Sequence, residues 1–173
     1  MFSKPDIEKY FMAEKQESLL FLIIGIIALI LAIAFFFFLK TNFYKGAAIP
    51  LVLIGLIQIV VGFTVYKRSD EDRVRNVYAY DMNPGQLKNE ELPRMKTVIK
   101  NFAIYRWVEI VCVLGGALLI FYCKTNPEKA LWYGLGVTLV IQAALMLGAD
   151  YFAEKRAVQY SKGIESFVEN PHR

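Results

Sequence analysis

The chain has 173 residues, 56% hydrophobic and 21% charged, more apolar and less charged than a soluble domain at about 45–50% and about 25%. The apolar residues gather in four runs, 19–39, 47–66, 104–123 and 130–149, each 20 or 21 long, which is what an α-helix needs to cross a hydrocarbon core of about 30 Å; a conventional soluble enzyme and an outer-membrane barrel are excluded. The net charge is only +4, and acids are interleaved with bases as in Ser69–Arg75, so a nucleic-acid partner is excluded as well.

The first helix is predicted to start at Ser3-Lys4-Pro5-Asp6, with proline in the first turn and an acid behind it. Ile7, Tyr10 and Phe11 then share one face, with Glu8, Lys9 and Lys15 opposite. This amphipathic segment is expected to lie on the membrane surface or to pack on a partner helix. The first 17 residues hold Lys4, Lys9 and Lys15 against Asp6, Glu8, Glu14 and Glu17, and the following apolar run is too long for a signal peptide. It is read as a retained transmembrane helix, TM1, over 19–39.

TM1 ends in Phe35-Phe36-Phe37-Phe38, and Ala28 with Ala32 gives it a small-xxx-small notch for another helix. TM2, 47–66, carries Pro50 in its first turn, where a missing N–H costs little, and Gly55 and Gly62 on one face. Beyond Tyr66 the chain turns polar but stays compatible with helix, with Val74, Val77 and Tyr78 at helical spacing. Asn83-Pro84-Gly85 is a turn. A second helix start follows at Glu90-Glu91-Leu92-Pro93, and Met95, Val98, Ile99 and Phe102 form a stripe leading into TM3, 104–123. The stretch between TM2 and TM3 has too little apolar material for a core of its own.

TM3 opens with Arg106, Trp107 and Glu109 and contains Gly115 and Gly116. TM4, 130–149, contains Gly134, Gly136, Ala144 and Gly148, then runs on past Asp150 into a polar extension that Gly163 is expected to end. Ala28, Ala32, Gly55, Gly62, Gly115, Gly116, Ala144 and Gly148 are the expected helix-packing positions. The fold class is therefore all-α: a polytopic membrane protein whose four transmembrane helices form two hairpins with cytoplasmic amphipathic helices. Residues 1–80 make the N-terminal half and 81–173 the C-terminal half.

Lysine and arginine near helix ends set orientation. The N-terminal segment, the 67–106 stretch and the C-terminal tail hold 16 of them, against 4 in the two short connections. Both termini and the central stretch are thus expected in the cytoplasm of a bacterial inner (plasma) membrane. Tyr66, Tyr105, Trp107 and Tyr151 would mark the inner interface, and Phe43, Tyr44, Tyr122, Trp132 and Tyr133 the outer one.

The chain also matches itself at a shift of 84 residues: Lys40-Thr41-Asn42, Lys45 and Gln58 against Lys124-Thr125-Asn126, Lys129 and Gln142. Both halves share one orientation, so this would be a parallel repeat about an axis along the membrane normal. Polar loops favour Lys, Thr and Asn in any case, and that is the competing explanation.

Few polar groups fall at membrane depth. Gln58 and Gln142 sit mid-span, where an amide needs a partner. They could bond each other as packing glue or line a polar path. Glu109 follows Arg106 by three residues and is expected to pair with it, and Asp150 could join them. Cys112 and Cys123 share a face of TM3 about 16 Å apart, too far to bond each other. His172 stands alone near the chain end, so no metal site is expected, and no cofactor motif occurs. No nucleophile has a base beside it in the sequence.

The expected function is non-enzymatic: an integral membrane protein acting through helix–helix association in the bilayer, as a homo-oligomer or with a membrane-protein partner. It would be an assembly subunit or a toxin-neutralising, immunity-type protein. The alternative is a small oligomeric channel or carrier with Gln58, Gln142 and Glu109 around a pore. A lipid-directed enzyme built on Glu109 and Asp150 is the third reading.

Overall fold

A computed structural model describes residues 2–169; His172 lies outside the described residues. Four helices in it are long and apolar enough to cross a membrane, and no strand occurs among the described residues. Helix α1 is Lys4–Ala34, α2 Asn42–Met82, α3 the single turn Pro84–Gln86, α4 Leu92–Cys123 and α5 Ala130–Glu169. In lipid every backbone N–H and C=O must be satisfied within the segment, and a continuous helix does this.

The breaks between helices follow from local chemistry. Ser3 N–H and hydroxyl both donate to the Asp6 carboxylate, opening α1. At the far end Phe35–Leu39 widens into a π-turn, and Lys40 takes the left-handed conformation at φ 56°. Thr41 then accepts from the Tyr44 N–H at 3.4 Å and starts α2. Asn83 leaves helical geometry before Pro84. The chain winds through a second π-turn, Leu87–Glu91, directly into α4. Pro93 has no N–H to give to the preceding turn, and the wider turn absorbs that loss. Pro93 thus lies within the first turn of a helix already under way.

The row order of the long helices is α1, α2, α5, α4, with α2 against α5 at the centre. Within the apolar runs they approach through small residues. A Cβ on Gly25 would lie 2.7 Å from the Gly55 carbonyl, and one on Gly62 would lie 2.7 Å from the Ser18 carbonyl. Gly116 and Gly136 oppose each other between α4 and α5 in the same way. Gly46 and Gly134 bring α2 and α5 into backbone contact, with the Leu131 and Phe43 carbonyls where a Cβ would stand. Close backbone approach supplies packing contacts where no hydrophobic force acts between helices. Ala28 and Ala32 are buried against α2.

Of the other small residues, Gly115 and Gly148 meet nothing within 4 Å of a built Cβ, and Ala144 is exposed. Gly116 and Ala143 occupy the buried positions beside Gly115 and Ala144, and Ala144 and Gly148 border an open crevice between α4 and α5 rather than a packed contact.

All four long helices continue beyond the apolar runs at the end where α1 begins and α5 finishes. There they form a second core of Ile7, Phe11, Leu87, Met95, Tyr160 and Ile164. Tyr10 stacks flat on Tyr160 with ring centroids 4.1 Å apart. Ile7, Tyr10 and Phe11 are therefore covered by neighbouring helices, and α1 runs unbroken from Lys4 into its apolar run. The segment between the second and third apolar runs adds Ala79, Leu87 and Met95 to this shared core. Gly163 does not end α5: the helix runs through it, and its missing side chain makes room for the Phe2 ring, 2.5 Å from a built Cβ.

Candidate functional site

Three places hold polar or apolar groups that the packing alone does not account for. The first is mid-span. Gln58 on α2 and Gln142 on α5 are both buried, and Gln58 Nε2 donates to Gln142 Oε1 at 3.5 Å. Gln58 Oε1 has no donor. The two amides close the α2–α5 seam, and glycine contacts on the side toward Gly46 and Gly134 seal it further.

The second lies where the apolar runs of α4 and α5 meet the polar end. Arg106 Nη1 bonds Glu154 Oε2 at 3.0 Å. No ion pair joins Arg106 to Glu109 among the described residues: one turn further along α5, Glu154 takes the guanidinium. Glu109 instead faces the Asp150 carboxyl. Glu109 is 7% exposed, and its Oε2 has no hydrogen-bond donor. A shallow crevice of about 380 Å³, with Phe102, Leu147 and Phe152 in its wall, opens beside these groups. Cys112 is half-buried and Cys123 buried; both are free thiols. Among the described residues no three His, Cys, Asp or Glu gather to hold a metal ion.

The third is the polar end of α2, which buries a polar seam beside Val77, Ala79 and Tyr80 and leaves an apolar stripe outside. Its buried seam is Ser69, Asp72, Asn76 and Ala79. Ser69 donates to Glu14 at 3.0 Å, Arg75 pairs with Asp72 at 2.8 Å, and the Asn76 amide bonds the Asp72 carbonyl. The opposite, outward face carries Val74, Tyr78 and Met82, exposed by 63%, 61% and 68%. A helix packed on one side and wet on the other normally turns its apolar stripe inward. Spacing alone grouped Val74, Val77 and Tyr78 as one stripe. The signal that separates them was present in the sequence: Ser69, Asp72 and Asn76 repeat at intervals of three and four, so they form a seam of their own.

Elsewhere at this end, ion pairs knit the helices together. Arg156 bonds Glu17, Lys15 bonds Asp70, and Arg68 lies 3.6 Å from Glu14. Arg94 grips Glu91 with two hydrogen bonds of 2.8 and 2.6 Å and lies over the Phe11 ring. Burial holds the Glu14 and Glu17 carboxyls above the usual glutamate range, partly offset by Arg68 and Arg156 respectively. Burial also raises both stacked phenols, Tyr10 and Tyr160, which stay neutral at physiological pH. No family model, curated protein or solved structure matches the chain.

Proposed function

We propose that this chain is a non-enzymatic membrane protein that works by helix–helix association. It would sit in a bacterial inner membrane with both termini in the cytoplasm, as an assembly subunit or an immunity-type protein. The observation that supports this reading is the outward face of α2. Tyr78 lies 12 residues past Tyr66, about 18 Å along a helix rising about 1.5 Å per residue. The headgroup layer adds only about 5–8 Å beyond the hydrocarbon. Lipid therefore cannot cover Tyr78 or Met82, and exposed apolar faces of this kind mark association sites. The polar seam behind them is fully engaged, so the helix cannot turn to hide them.

The test places a photo-cross-linking amino acid at position 78 in cells and compares it with position 155 on the outer side of α5. A discrete adduct from position 78 alone is expected. If neither position yields one, the association reading fails.

One observation favours the channel or carrier reading: the donorless Glu109 Oε2 beside an open crevice. A cation or proton path needs such a group. Flux in liposomes that is lost with Glu109→Gln would support it; absence of flux in the parent protein removes it.

A further inference from the structure

We infer that the partner on the outward face of α2 is a second copy of this chain, held side by side in the same membrane about a two-fold axis along the membrane normal. The inference rests on the association reading and names its partner. At about 100° per residue, Leu53, Val60, Thr64, Lys67, Glu71, Tyr78 and Met82 fall within about 40° of one direction on α2. That direction is opposite the buried side marked by Leu51, Gly55, Gln58, Gly62 and Ser69. The lipid-facing side of the span and the uncovered stripe beyond it are thus one straight seam. A copy inserted in the same bilayer carries the same seam, parallel and at the same depth. Such a copy covers the stripe while keeping its own apolar run in lipid.

The charges on the seam point to the same occupant. Lys67 and Glu71 are exposed, and neither has an ion-pair partner among the described residues. Measured from the direction of Val60 and Tyr78, Lys67 lies about 20° to one side and Glu71 about 20° to the other. A two-fold axis parallel to the helix sets one side of the seam against the opposite side of its partner. Lys67 of one copy then meets Glu71 of the other, and the contact occurs twice. By the same symmetry Tyr78 lies at the axis and meets its own copy at the same height. An isologous interface requires this self-complementarity, and an unrelated partner does not.

The test measures the monomer–dimer equilibrium of the full chain in detergent or nanodiscs, by native mass spectrometry and by energy transfer between labelled copies. The parent should dimerise. Lys67→Glu and Glu71→Lys should each weaken the dimer about tenfold or more by setting like charges together. The double exchange, Lys67→Glu with Glu71→Lys, should return it to within about threefold of the parent, because the exchanged pair is complementary only to another copy carrying the same exchange. Unchanged helicity and melting temperature show that each variant is folded. A parent that stays monomeric, or a double exchange no better than the singles, overturns the inference. If a monomeric parent still gives a discrete position-78 adduct in cells, association stands with a different protein. If it gives no adduct, both readings fall.

Discussion

Gly115 and Gly116 are adjacent in α4, and replacing each by alanine should move stability in opposite directions. A Cβ on Gly116 would stand 2.9 Å from the Gly136 carbonyl and 2.7 Å from a Val140 methyl. The methyl can swing aside, but the carbonyl belongs to the backbone of α5. Restoring an ordinary 3.4 Å contact requires the two helices to part by about 0.5 Å. A gap of that size forfeits about a quarter of each dispersion contact along the seam. Inserting a methyl into a tight interface costs about 1–3 kcal/mol. Gly115 meets nothing within 4 Å, so Gly115→Ala keeps every contact. It gains the helix preference of alanine over glycine, about 0.5–1 kcal/mol. The assay is reversible unfolding of the detergent-solubilised protein with SDS, followed by Trp107 and Trp132 fluorescence. The two variants should straddle the parent, separated by about 1.5–4 kcal/mol. Equal destabilisation by both would refute the assigned facing of α4.

Three further outcomes follow from the packing. Gln58→Leu and Gln142→Leu should each cost about 0.6–2 kcal/mol in the same SDS titration, and the double change less than their sum, because no amide is then left unpaired; strict additivity would mean that the two do not interact. Phe11→Ala should cost about 3–5 kcal/mol, since the ring is buried among Tyr10, Tyr160 and Arg94; near-ultraviolet circular dichroism should report loss of the tyrosine stack, and an unchanged melting temperature would contradict the shared core. Burial makes the folded protein bind protons at Glu14 and Glu17 more tightly than the unfolded chain, whose glutamates titrate near 4.5. Stability should therefore rise as pH falls from the alkaline side toward that range, and Glu14→Gln should flatten the profile; a melting temperature that drops steadily over the same interval would show that the ion pairs outweigh burial.

The sequence by itself determined the four apolar spans, because length and hydropathy are local properties and lipid accepts little but continuous helix. It also located Gln58, Gln142 and Glu109, since a polar residue in an apolar run is conspicuous in one dimension. Facing was decided only by the tertiary structure. Gly115 and Gly116 are alike in composition, yet one faces α5 and the other faces away, and that depends on how α4 is rotated against its neighbour. Arg106 had Glu109 within reach on its own helix and took Glu154 from α5 instead, a choice made by the crossing of two helices. The polar-end core needed four segments drawn from across the chain, each too poor in apolar residues to suggest a core alone. The polar seam on α2 has the same cause. Ser69, Asp72 and Asn76 face inward because Glu14, the charges of α2 itself and the close approach of α1 satisfy them there, and Val74, Tyr78 and Met82 are left on the outside.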